Sequence, residues 1–269
     1  MLGSIVGDIV GSIYEFANIK TKDFEFFQPE MERTDDSILC IATADWLLHG
    51  GDVSHYYSRY ALEYPYPMGG YGGMFKAWSS KVARQGIHEP YNSCGNGSAM
   101  RIAPVGWAFE TEREVLEAAK VSASCTHNHP EGIKGAQATA LCIFLARQGH
   151  TASDIRARIE RDFGYDLSMS VKELQRRYSW QGIDGKGDGG ICQDSVPQAI
   201  ICALQAKDFE DAIRNAISIG GDSDTIGCIA GGIAEALYGI PESIKERAWK
   251  YLDETEGRTV RSFIQKYSI

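Results

Sequence analysis

Gly220-Gly221-Asp222-Ser223-Asp224-Thr225 closes one helix-like run and opens another. Behind it, Ile226, Ile229, Ala230, Ile233, Ala234 and Leu237 recur at the spacing of an apolar helix face. An α-helix turns roughly 100° per residue, so aspartates two apart on a formed helix point about 200° away from each other. Asp222 and Asp224 therefore converge only where the chain is still entering the helix, and the glycine pair permits that backbone. In this reading a helix N-terminus presents Asp222, Asp224 and Thr225 as an all-oxygen cluster. Hard divalent ions take such sets, whereas zinc prefers His and Cys. Capping by Asp222 or Ser223 is the alternative, because both residue types favour caps and acids suit a first helical turn.

The same pattern occurs earlier in the chain. Thr34-Asp35-Asp36-Ser37 precedes Ile38, Ile41, Ala42 and Trp46 at helical spacing, again placing adjacent acids and hydroxyls at a helix start. Two such corners can flank a pair of divalent ions, although each can also serve as a cap. Four carboxylates around one cavity repel one another unless metals or protons intervene. Residues 3 to 16 read as a buried helix, with Ile5, Ile9, Ile13 and Phe16 on one stripe and Gly3, Gly7 and Gly11 four apart. That glycine spacing lets another backbone approach closely. Asp8, Ser12 and Glu15 form an adjoining strip, and because unpaired buried carboxylates are costly, either a cation faces them or the strip lies at the surface.

Three glycine-rich loops interrupt the helical patterns. Pro65 to Phe75 contains Gly69-Gly70-Tyr71-Gly72-Gly73, whose free backbone N–H groups can cradle a phosphate or simply form a turn; it matches no Walker or GxGxxG pattern. Asn92 to Trp107 carries Gly95-Asn96-Gly97-Ser98, where Asn96 and Ser98 can hydrogen-bond sugar hydroxyls and Arg101 can pair with a phosphate or an acid. Asp184 to Gly190 is the third. Between them, Thr111 to Glu114 fits a capping box for a helix reaching about residue 124, and in Thr126-His127-Asn128-His129 one histidine is expected to serve a site and the other to cap the next helix. Residues 153 to 178 read as two surface helices, and Ser195 and Pro197 as the start of another. No sustained strand alternation, linker or repeat is evident, so 1–269 reads as a single all-α domain with its functional loops at helix ends.

A formal charge of -9 and a pI near 5.2 argue against nucleic acid as the main partner, and any anionic ligand must be held locally. No apolar run approaches the ~18 residues of a membrane span, and Met1 to Ile5 lacks the basic region of a signal peptide, so the chain reads as cytoplasmic. Seven cysteines without a CxxC pair read as reduced core residues.

Taken together and in this order, Gly3 to Asp8 with Glu15, Thr34-Asp35-Asp36, Gly70-Tyr71-Gly72, Gly95-Asn96-Gly97 with Met100-Arg101, Thr126-His127, Ser195-Val196-Pro197 and Gly221 to Thr225 resemble the ADP-ribosylglycohydrolase family. The resemblance spans almost the whole chain. It implies a compact orthogonal all-α bundle with a binuclear Mg²⁺ or Mn²⁺ centre whose ligands are Thr34, Asp35, Asp36, Asp222, Asp224 and Thr225. It further implies Glu15 as a mobile ligand or water-orienting acid, with Glu15 and Asp35 the candidate proton carriers. Gly70, Tyr71 and Gly72 would hold a diphosphate, the loop of Gly95, Asn96, Gly97 and Ser98 would meet the distal ribose, and His127 would orient it. Ser37 and Ser223 stand where the family often has threonine, a change that keeps the hydroxyl.

The implied activity is hydrolysis of the bond joining ADP-ribose to a side chain, arginine first, with ADP-ribosylated protein or ADP-ribose as partner and a monomer compatible with the sequence. Serine linkages, small ADP-ribosylated molecules, and a non-catalytic ADP-ribose binder are the alternatives. An isoprenoid lyase, which also uses Asp-rich helices and Mg²⁺, would need another acid one turn beyond Asp35-Asp36, where Ile38, Leu39 and Cys40 stand.

Overall fold

The computed structural model describes residues 1–269 and is built almost entirely of helices. Fifteen α-helices follow in order: α1 (Leu2–Gly11), α2 (Asp35–His49), α3 (Val53–Glu63), α4 (Gly73–Gln85), α5 (Gly97–Met100), α6 (Ala103–Ala108), α7 (Glu112–Ser124), α8 (Pro130–Arg147), α9 (Ala152–Phe163), α10 (Val171–Arg177), α11 (Cys192–Leu204), α12 (Phe209–Ser218), α13 (Ser223–Tyr238), α14 (Glu242–Ala248) and α15 (Glu254–Tyr267). The all-α expectation holds. The exception is a two-residue antiparallel ladder, Tyr178–Ser179 against Gly182–Ile183, too short to leave an alternating pattern in sequence.

Helix α13 is the centre, packing against α1, α8, α11 and α12. Its apolar run is buried on every side, as is α1, which fits a helix enclosed by others rather than lying at a surface. The two run antiparallel with their backbones in contact. A Cβ placed on Gly7 would stand 1.9 Å from the carbonyl oxygen of Gly227, and one on Gly3 would stand 2.3 Å from that of Gly231. At the far end, Gly11 lies against the backbone of Ser223 and Asp224. The spacing of Gly3, Gly7 and Gly11 thus foretold a close backbone, and α13 supplies it.

Several local readings need correction. The first helix is regular only to Gly11; Ser12–Tyr14 tighten into a 3₁₀ turn, and Phe16 is 78% exposed instead of continuing the apolar stripe. Helix α11 begins at Cys192, so Pro197 lies inside it and not in its first turn. His129 does cap α8, accepting from the Glu131 N–H, and Thr111 caps α7. All seven cysteines are free thiols. No helix is long and apolar enough to cross a membrane.

Because the contact is backbone against backbone, Gly7→Ala cannot be absorbed by a side chain turning aside. Overpacking of this kind costs roughly 3 kcal/mol, and Gly73→Ala, where a Cβ meets nothing within 4 Å, is the control. Urea denaturation should show a large loss for the first and none for the second.

Candidate metal centre and ligand cavity

The antiparallel contact of α1 with α13 sets the C-terminal end of one beside the N-terminal end of the other. Asp8 and Glu15 thereby meet Asp222 and Asp224. Helix α2 enters from the side, its start fixed by Asp8, whose carboxylate accepts from Thr34 N (3.0 Å), Thr34 Oγ1 (2.6 Å), Ser37 N (3.1 Å) and the Ser37 hydroxyl. The expected cation facing Asp8 is in fact a helix N-terminus, whose N–H groups and dipole suit an anion. Thr34 caps the same helix by accepting from Asp36 N.

The turn before α13 is held from outside. Gly220 and Gly221 have φ of +69° and +78°, which glycine adopts freely. The Asn18 side chain clamps the second, accepting from Gly221 N at 2.8 Å and donating to Gly221 O at 2.9 Å. Lys20 donates to the carbonyls of Tyr178 (2.6 Å) and Ile219, the latter ending α12. Asp222 itself makes no capping hydrogen bond, so the capping alternative does not account for its position.

Two sets of carboxylate oxygens result, each mutually within 4.8 Å: Asp8, Asp36 and Asp224, and Glu15, Asp222 and Asp224. Asp224 belongs to both. It is buried and its Oδ1 has no partner at all, an orphan lone pair of the kind a bound cation would satisfy. Asp36 accepts from Thr225 Oγ1 at 2.9 Å, and Asp222 from Asn96 Nδ2 at 2.7 Å. The all-oxygen donor set therefore fits a hard divalent ion.

Burial dominates the electrostatics. It raises the pKa of Asp35, Asp36 and Asp224 well above the carboxylate range, with the Asp224 charge next in order for the first two and the Asp222 charge for the third. Asp222 is pushed to about 6 by burial. Glu15 reaches about 8, through burial and then the charges of Asp224 and Asp8. Asp8 is also raised, since burial outweighs its four donors.

Beside this cluster lies a cavity of about 420 Å³ lined by Asp35, Gly72, Tyr91, Asn96, His127 and Gly190 among others. Its floor includes Gly72, Gly73 and Met74, the uncapped N-terminus of α4, whose first N–H groups are free for an anion. Gly69 approaches Glu15, and Met68 pairs with Thr34, so the loop before α4 lies over the acidic cluster.

Not every expected site residue reaches this space. Asp35 lines the cavity and is in neither carboxylate set. Ser98 is fully buried and donates to Gly132 O at 2.7 Å, so its hydroxyl is committed within the protein. Tyr71 donates its hydroxyl to Tyr64 O, and Gly70 lies outside the cavity lining. Asp8, Asn18 and Trp180, whose Nε1 donates to Glu15 O at 2.8 Å, were not singled out as site residues. For Asp8, the unpaired acid beside the glycine stripe was the available signal; for Asn18 and Trp180 there was none.

Comparisons with known proteins point to one family. A family model described as ADP-ribosylglycohydrolase matches residues 1–267. The human protein named ADP-ribosylhydrolase ARH3 is 30% identical, covering 95% of this chain and 89% of its own length. ADP-ribosylarginine hydrolase Tri1 of Pseudomonas putida is 26% identical, over 93% and 73% respectively. A solved structure titled ADP-ribosylglycohydrolase-related protein complex shares the fold, with a TM-score of 0.68 at 24% identity over 98% of this chain and 96% of that one.

The raised carboxyls give a signed expectation. Protonated acids are favoured in the folded, metal-free protein, so their contribution to stability is complete below the ordinary carboxylate range of about 4. It is lost as pH rises through about 6 for Asp222 and about 8 for Glu15. Thermal unfolding with a chelator should therefore fall in midpoint from pH 5 to pH 8. Adding Mg²⁺ or Mn²⁺ should raise the midpoint more at pH 8 than at pH 6; a midpoint indifferent to both would contradict the cluster's role.

Proposed function

Because the chain belongs to the ADP-ribosylglycohydrolase family, we propose that it hydrolyses the glycosidic bond between ADP-ribose and a modified side chain, arginine in the first instance, using two divalent cations, Mg²⁺ or Mn²⁺. The observation that carries this reading is the pair of carboxylate sets sharing Asp224, joined through Asn96 and Asp35 to a cavity that is also lined by an uncapped helix N-terminus. An acidic protein has little other means of attracting a doubly charged diphosphate.

Asp36, Asp222, Asp224 and Thr225 would hold the cations, with Glu15 completing one set, Asp8 positioning α2, and Asp35 and Thr34 reaching the ions from the start of that helix. When bound, the cations supply charge for polarising a ligand oxygen and for lowering the pKa of a water. Glu15 stands at about 8 without cations, and bound cations would lower it; it is the first candidate to orient the attacking water, and Asp35, on the cavity side, is the second candidate for proton transfer. The diphosphate is assigned to the loop of Gly70, Tyr71 and Gly72, in which the Gly70 N–H itself is spent on Pro67 O, and to the N–H groups at the start of α4, and the distal ribose to Gly95, Asn96, Gly97 and His127. Ser98 enters this assignment only as a support, through Gly132. The whole chain is read as one domain.

Release from serine linkages or small ADP-ribosylated molecules is the second reading. It is favoured by the lower identity to the relative whose name specifies arginine. Incubating the protein with arginine-linked and serine-linked substrates, with and without a chelator, and following free ADP-ribose separates the two. Asp35→Asn and Asp224→Asn should each lower turnover by at least about a hundredfold, since loss of even a supporting group around a metal costs roughly 10–100-fold. Full activity of either variant would refute the two-cation assignment.

A further inference from the structure

Thr126 Oγ1 lies between two nitrogen partners, Nη2 of Arg101 at 2.8 Å and Nδ1 of His127, also at 2.8 Å. Arg101 is fully buried, its guanidinium carbon 4.1 Å from the Tyr57 ring centroid, and Nη2 also donates to Ser122 O at 2.7 Å. A guanidinium only donates, so at that contact the threonine oxygen accepts. The hydroxyl's single proton is then left for His127 Nδ1. In the opposite arrangement, with Nδ1–H donating to Thr126, the hydroxyl proton would be stranded, because Thr126 is fully buried. The Tyr91 phenol lies near Thr126 and can accept as well as donate, so it is the one rival taker of that proton; Tyr91→Phe, which removes it, should leave the wild-type tautomer unchanged.

A neutral imidazole that accepts at Nδ1 carries its proton on Nε2. That nitrogen faces the ligand cavity beside the glycine loop: a Cβ on Gly97 would stand 3.1 Å from Nε2 and one on Gly95 3.5 Å. Larger residues at either position would crowd the nitrogen. Burial and the Arg101 charge both hold the ring neutral.

We propose that Arg101 and Thr126 are positioning residues that fix His127 as the neutral Nε2–H tautomer, so that it presents one directed donor to a hydroxyl or phosphate oxygen of the ligand in the cavity. The tautomer rests on the Thr126 proton going to Nδ1 and not to Tyr91; the ligand rests on the functional reading above. Arg101 is thereby assigned a positioning role through Nη2, which serves both Ser122 O and Thr126, while its buried Nε and Nη1 have no partner in the protein.

The test is nitrogen-15 NMR of the imidazole side chains in the full-length protein, with His127 assigned by the resonance missing from His127→Gln. The expected result is an unprotonated Nδ1 and a protonated Nε2 in the wild type, retained in Thr126→Ser and mixed or reversed in Thr126→Val. A protonated Nδ1 in the wild type overturns the proposal whatever the variants do, as does an unchanged tautomer in folded Thr126→Val. Calorimetric titration with ADP-ribose in the presence of Mg²⁺ gives the second readout. Thr126→Val should bind about tenfold more weakly, the worth of one neutral hydrogen bond, and Thr126→Ser should bind like the wild type. His127→Gln, whose amide N–H can stand in for Nε2–H, should bind more tightly than His127→Asn; equal loss in both overturns the directed-donor role. Were the wild type to show the stated tautomer yet bind no ADP-ribose, the ligand assignment would fall with the functional reading, and the positioning of His127 by Arg101 and Thr126 would stand.

Discussion

Everything at the site depends on two helices touching through their backbones. Gly3, Gly7 and Gly11 on α1 meet Gly231, Gly227 and the start of α13 with no side chain between them. Ordinary helix pairs stand about 8–10 Å apart, a distance set by the side chains at the contact. Removing those side chains draws the carboxylates of Asp8 and Glu15 up to those of Asp222 and Asp224. The antiparallel sense matters equally, because it sets the end of α1 against the beginning of α13 and so brings the Gly220-Gly221 turn into the same corner.

The closeness that builds the cluster also makes it costly. Buried like charges repel, and burial alone disfavours each ionised carboxylate. The chain resolves this differently for different acids. Asp8 is provided with four donors from the start of α2 and has no further need of a ligand. Asp36 receives one hydroxyl and Asp224 Oδ1 receives nothing. Asp8 stands in one carboxylate set with Asp36 and Asp224, but of the three it is the one supplied by four donors. Hydrogen-bond satisfaction therefore separates the acid that builds the scaffold from those left available to a cation, a division that residue type and spacing cannot make.

What was legible in the sequence was local. Adjacent acids and hydroxyls at a helix entry, as in Thr34 to Ser37 and Gly220 to Thr225, announce themselves within six residues, and helix periodicity gave the all-α class. The glycines of α1 told that some backbone approaches, but a stripe cannot name its partner. Partners more than 150 residues away on main-chain atoms left no trace: Asn18 on Gly221, Lys20 on Tyr178 and Ile219, Trp180 on Glu15. Ser98 misled because a hydroxyl in a glycine loop looks the same whether it faces solvent or, as here, a buried carbonyl. Phe16 misled because the helix tightens at Ser12, after which helical spacing no longer says which way a side chain points.

The cavity wall follows the same logic as the cluster beside it. A net charge of -9 opposes an anionic ligand, and the one guanidinium lining the cavity, that of Arg101, is fully buried, stacked on Tyr57 and hydrogen-bonded to the protein through Nη2 only. What remains on the wall are dipoles, chiefly backbone N–H groups at the start of α4 and a neutral imidazole. Dipoles orient an anion but attract it weakly across solvent, since their field falls faster with distance than that of a charge. On the proposed reading the long-range attraction must then come from the cations, and the ligand and the cations bind as a coupled pair, each strengthening the other by the same factor. The architecture thus ties ligand affinity to occupancy of the carboxylate cluster, because the one lysine or arginine lining the cavity, Arg101, is fully buried.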